Sequence, residues 1–182
     1  LWNHGETTAS ITVSNVATYS VTQTTANGCT SAPGSGTSNP RTIPAIPVIT
    51  IKGPAIFCQG GSVVLTSSAK TRNLWSTGAT TQSIVVVASG SYTVTYTNDD
   101  GCSTVSAPAV ITVNPVPSAP TVAVASNCGN SVLTAGNFTG SLLWNNGATT
   151  SSITVMNVAT YSVTLNVNGC VSPAGTGVSA PK

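Results

Sequence analysis

The chain of 182 residues carries five Lys+Arg, three Asp+Glu and one His, a formal net charge of +2. Charge this sparse, without runs of one sign, excludes an electrostatic footprint on nucleic acid or an anionic membrane surface. No apolar run approaches the roughly 18 residues of a membrane span, and the Thr, Ser, Val, Ala, Gly and Asn that dominate suit short strands and neutral turns.

In chain order, Leu1-Trp2 reads as a strand end before a turn at Asn3-His4-Gly5. Ser10–Val13 puts Ile11 and Val13 on one face of a strand, and Tyr19–Thr22 continues as another. Ala26-Asn27-Gly28 is a hairpin turn, Thr30–Pro40 a Gly/Ser/Pro-rich last strand, and Pro40–Pro47 an extended Pro-rich linker. Strands follow at Val48–Lys52, Ser62–Ser67, around Trp75, at Thr81–Val87, Ser91–Thr97 and Cys102–Asn114, and Pro115–Pro120 is a second linker. The same order returns in Thr121–Ala125, Ser131–Thr134, Ser141–Asn145, Ser152–Val155, Ala159–Asn166 and Val171–Pro181. No window reads as an amphipathic helix.

This order is a repeat. Leu-Trp-x-x-Gly-x-Thr-Thr-x-Ser-Ile-x-Val occurs at Leu1–Val13, Leu74–Val86 and Leu143–Val155, each copy followed by a tyrosine (Tyr19, Tyr92, Tyr161) and then a Gly-Cys pair ending in Cys29, Cys102 or Cys170. Such self-similarity predicts a tandem array: part of a unit plus linker in 1–45, a complete unit in 46–116 and another in 117–182. About seven short strands per unit with regular turn signals predict an all-β fold of immunoglobulin-like β-sandwiches, about 70 residues each. Leu143–Lys182 matches Leu1–Arg41 better than either matches the middle unit, so units alternate in type. The chain opens inside a repeat without Met, and so reads as a window on a longer array.

Units this small hold a marginal core and call for a staple. Cys58 and Cys102 flank Trp75, and Cys128 and Cys170 flank Trp144, at matching spacings. The reading is one disulfide per repeat, Cys58–Cys102 and Cys128–Cys170, pinning one end of each sandwich and stabilising it by roughly 4 kcal/mol. Cys29 is then unpaired, its partner lying upstream. Paired cysteines predict an oxidising, extracytoplasmic location.

The stretches Phe57–Thr66 (FCQGGSVVLT), Leu74–Ile84 (LWSTGATTQSI), Gly90–Thr97 (GSYTVTYT), Asp100–Ser103 (DGCS) and Val113–Pro117 (VNPVP) resemble the Ig-like repeats of Bacteroidetes secreted and cell-surface proteins, the kind found in large gliding-motility adhesins. The resemblance spans nearly the whole chain. It implies export by a type IX route and a spacer or adhesive role, and it brings no catalytic residues.

The residues themselves offer little chemistry. Glu6, Asp99 and Asp100 are the only acids and His4 the only imidazole, and His4 and Glu6 are replaced in the other copies by Thr77 and Ala79 or Asn146 and Ala148. Asp99-Asp100 supplies few ligands for a calcium ion and reads as a solvated turn. Trp2, Trp75 and Trp144 read as sandwich-core residues rather than sugar platforms, as do Tyr19, Tyr92 and Tyr161. The expectation is a non-enzymatic extracellular array on the bacterial outer surface, forming the stalk or fibre of an adhesin, without metal or cofactor. Its partners are neighbouring repeats and surface polysaccharide, with no nucleic acid and no membrane insertion. Two alternatives are a homopolymeric filament assembled by strand complementation, and an accessory carbohydrate-binding module of a secreted polysaccharide-degrading enzyme.

Overall fold

Strands that alternate Val, Ile or Leu with Thr or Ser have one apolar face, and two sheets of them bury it by packing face to face. The computed structural model describes all 182 residues and contains eighteen strands and no helix. The fold is all-β and sandwich-like, with two separate buried clusters.

The first part of the chain contributes an antiparallel pair, β1 (Ala17–Val21) and β2 (Gly34–Ser38), with Trp2 bridging to Val21. Ser10–Val13, expected as a strand, is not one. Its counterpart Ser152–Val155 is a strand because a neighbouring strand hydrogen-bonds along it; no segment of the chain does so for Ser10–Val13.

The middle part holds β3 (Ile49–Lys52), β4 (Ile56–Cys58), β5 (Val63–Ser67), β6 (Asn73–Trp75), β7 (Ser83–Val86), β8 (Gly90–Tyr92), β9 (Val94–Thr97), β10 (Ser103–Val105) and β11 (Ala109–Asn114). One sheet runs β3-β5-β7. On the other side, β9 pairs with β6 and β10, and β11 pairs antiparallel with β8 and parallel with β4. The opening edge therefore crosses from one sheet (β3) to the other (β4). Leu65, Trp75, Val94 and Ile111 are enclosed between the sheets.

The last part holds β12 (Thr121–Asn127), β13 (Asn130–Gly136), β14 (Ser141–Trp144), β15 (Ser152–Val155), β16 (Thr160–Val167), β17 (Cys170–Val171) and β18 (Gly175–Val178). The sheet β12-β13-β15 packs on β16, which pairs with β14, β17 and β18. Leu133, Trp144, Val163 and Leu165 form this core. Gly175 and Gly177 let β18 press against β12: a Cβ on Gly175 would overlap the carbonyl oxygen of Pro120, and one on Gly177 would stand 2.6 Å from Val122 Cγ1.

The repeated motif has a local reason to recur. In each copy the Trp backbone closes a turn with the residues after it: Trp75 N–H donates to Ala79 O (2.8 Å), and Gly78 N–H donates back to Trp75 O (2.8 Å). Its indole N–H reaches the carbonyl of the second Thr, and that Thr hydroxyl donates to the Ser carbonyl two residues on. The same four hydrogen bonds occur around Trp2, Thr8 and Ser10, and around Trp144, Thr150 and Ser152.

Candidate functional site

The candidate functional feature of this chain is the junction between its middle and last parts, where the disulfide lies. At one pole of the last sandwich, β16 turns into β17 through Asn168-Gly169, both at positive φ (52° and 83°), a two-residue hairpin loop of the primed type that Asn-Gly favours. The loop delivers Cys170, wholly buried, to the tip. At the facing pole of the middle sandwich, β4 ends with Cys58 opposite Asn114, the last residue of β11. Cys58 and Cys170 form a disulfide across the junction. Beside it, the Asn114 side-chain amide donates to the Asn168 carbonyl (3.2 Å).

This replaces the expected pairings. Cys58–Cys102 and Cys128–Cys170 do not form, and Cys29, Cys102 and Cys128 are thiols. The reason is polarity. Along the successive strands β10 and β11, Ser103 lies opposite Thr97 at one end and Asn114 opposite Cys58 at the other. Cys102 and Cys58 are thus separated by nearly the full run of β10 and β11, up to roughly 35 Å at about 3.3 Å per residue, far beyond the reach of a disulfide. In the last sandwich, Cys128 sits in the β12–β13 turn, where Gly129 N–H donates to Lys182 O (2.9 Å) and Lys182 N–H to Asn127 O (3.0 Å), at the pole away from Cys170. Each sandwich carries one cysteine per pole. The signal was present in the sequence: a turn after an opening strand and a Gly-Cys hairpin before the last strand fall at opposite ends of an Ig-like sandwich.

The linkers are part of these junctions. Arg41 Nη1 donates to Asp100 O (2.8 Å), Thr42 Oγ1 to Asp100 Oδ2 (2.9 Å), and Asn98 Nδ2 to Thr42 O (2.7 Å). The hairpin that ends in Cys102 therefore grips the chain just after β2, as the hairpin ending in Cys170 grips Asn114. Cys102 is half-buried there.

Trp75 and Trp144 are 2% and 1% exposed, each in its own core. Trp2 is half-buried. Tyr19 is buried, while Tyr92 and Tyr161 are half-buried and pack against the cores. Tyr92 Oη donates to Ala88 O (2.9 Å). His4 lies against Tyr19, ring centroids 5.0 Å apart, and Glu6 is exposed. Asp99 pairs with Arg72 at the surface. No three His, Cys, Asp or Glu side chains converge on one point.

The exposed core face that the strand-complementation alternative expects of the first part takes the form of a groove. A groove of about 500 Å³ is lined by Trp2, Ile11, Val13, Tyr19 and Val21 and floored by the backbone of β2.

No protein-family model matches the chain, and no curated protein matches it. Among solved structures it is similar to the mouse coronavirus receptor-binding domain complexed with its murine receptor (14% identity, 69% of this chain and 96% of that chain, TM-score 0.41). It is also similar to the human OSCAR ligand-binding domain (12%, 75% and 100%, TM-score 0.33) and to the Clostridium thermocellum CbhA fibronectin(III)-like modules (14%, 70% and 90%, TM-score 0.34). These are distant likenesses, and none carries a function to this chain.

Proposed function

We propose that this chain is a non-enzymatic, extracytoplasmic segment of a bacterial adhesin stalk or fibre: part of a unit in 1–45, then Ig-like units in 46–116 and 117–182, stacked pole to pole. The observation that carries this reading is the Cys58–Cys170 bridge. It crosses the same junction as the linker Pro115–Pro120, so two covalent connections join the two sandwiches. A single flexible tether permits wide reorientation of neighbouring domains; a second one beside it removes most of that freedom. A bridge of this kind persists in an oxidising compartment, which supports a surface location. The polysaccharide-module alternative is disfavoured because Trp75 and Trp144 are enclosed and leave no stacking face.

Small-angle scattering of the oxidised chain, and of the chain with Cys58→Ser and Cys170→Ser, tests the reading. The oxidised chain is expected to give one narrow, elongated distance distribution, and the double variant a broader one. Identical distributions would overturn the rod.

A further inference from the structure

The uncovered groove of the first part and the unpaired thiol of Cys102 have one explanation in common. The last sandwich shows what lies in the equivalent groove. Trp144, Ile153, Val155, Tyr161 and Val163 correspond to Trp2, Ile11, Val13, Tyr19 and Val21, and Gly175 and Gly177 to Gly34 and Gly36. In the last sandwich this surface is covered by β12 and β13: Val122 and Leu133 fill the space over Gly177, and Pro120 lies on Gly175. Over Gly34 and Gly36 there is nothing within 4 Å.

The β12–β13 turn also fixes where its cysteine goes. Asn127 and Gly129 straddle Lys182, whose counterpart in the first part is Arg41. Arg41 is held on the Asp100 carbonyl, with Nη1 3.6 Å from where a Cβ on Gly101 would stand. Cys102 is the next residue. A strand pair seated on the first part as β12–β13 is seated on the last would therefore bring its turn cysteine to Cys102, repeating the meeting of Cys58 with Cys170 one junction along.

We infer that the groove over Trp2, Tyr19 and β2 is the docking site for a two-stranded segment of this repeat's own type, and that Cys102 locks it in place. The occupant has the chemistry of Thr121–Gly136: apolar alternation on both strands and a cysteine in the turn between them. The lock is thiol–disulfide exchange with a small-molecule disulfide. The Cys102 thiolate attacks it and releases one thiol; the incoming cysteine thiolate attacks the mixed disulfide at Cys102 Sγ and releases the second. One S–S bond breaks, one forms, and the two protons of the protein thiols leave with the small-molecule thiols. This inference goes beyond the rod reading and does not depend on the scattering outcome.

The test uses a synthetic peptide spanning Pro117–Asn137, incubated with the chain in a buffer of oxidised and reduced glutathione, with bridges mapped by mass spectrometry. A peptide of the same composition in scrambled order, with its cysteine kept in place, is the control. Docking raises the effective concentration of the peptide thiol, so the native-order peptide should bridge to Cys102 at least about tenfold more than the scrambled one. Gly36→Leu fills the groove from an exposed strand with no neighbours to displace. It should reduce the bridge to the scrambled level while Cys102 still forms its mixed disulfide with glutathione. Equal bridging by both peptides, preferential bridging to Cys29, or bridging indifferent to Gly36→Leu would each overturn the inference.

Discussion

The indole N–H of Trp75 donates to the carbonyl oxygen of Thr81 at 2.8 Å, six residues further along the chain. This clasp ties the core tryptophan to the turn that follows it. Trp75→Phe keeps much of the apolar contact but gives up this hydrogen bond to the exposed Thr81, an expected cost of about 0.5–1.5 kcal/mol. Trp75→Ala also opens a cavity and should cost about 3–5 kcal/mol. Trp2→Ala, at a half-buried site, should cost distinctly less. Denaturant unfolding of the three variants checks the order.

Two glycines at equivalent positions should respond in opposite ways. An alanine at Gly175 meets the Pro120 carbonyl, whereas at Gly34 it meets open space. Gly175→Ala is expected to destabilise the last sandwich by about 1–3 kcal/mol through overpacking. Gly34→Ala should be neutral or stabilise by up to about 1 kcal/mol, because alanine loses less backbone freedom than glycine in a strand. Thermal melts of both single variants decide it. Occupation of the groove by the proposed strand pair would make Gly34→Ala costly as well, an internal check in the presence of the peptide.

Ser172 is buried, and its Oγ accepts the Leu165 backbone N–H at 2.9 Å, where the ladder between β16 and its partners is interrupted. Ser172→Ala removes the acceptor and strands a buried donor, with an expected loss of about 1–3 kcal/mol. Hydrogen exchange at the Leu165 amide should quicken by more than at its neighbours in β16.

Reduction of Cys58–Cys170 opens a loop with a sequence separation of 112. In the chain-entropy account such a loop stabilises the folded state by up to about 4–5 kcal/mol. The urea midpoint is expected to fall on reduction, and Cys58→Ser should reproduce the shift without reductant. Cys102→Ser, by contrast, should leave the midpoint unchanged.

The all-β sandwich class and the repeated Trp motif were legible in the sequence because they are local. Strand alternation is encoded residue by residue, and the clasp from Trp to the second Thr closes within six positions, so it forms even around Trp2, where no second sheet covers it. The disulfide was misread because Cys58 and Cys102 are matched in sequence spacing but not in space. Spacing records how far apart two residues are along the chain, whereas pairing depends on which pole of the sandwich each turn occupies. Ser10–Val13 was misread for a related reason: its alternation is that of a strand, but a strand exists only where a neighbour hydrogen-bonds to it.

The bridge at the poles also changes how a pull along the chain is carried. Tension entering ahead of Cys58 crosses the sulfur–sulfur bond and leaves beyond Cys170, so the intervening stretch, with a sequence separation of 112, lies in a closed loop outside the line of force. Trp75 and Trp144, and most of both cores, are within that loop. Unfolding them would add nothing to the end-to-end length until the sulfurs part. At about 3.3 Å per residue, parting them returns roughly 370 Å of contour length to the line of force, to be drawn out as the cores unfold. A tether built this way is short and stiff while oxidised, and a thiol decides whether force can reach its hidden length.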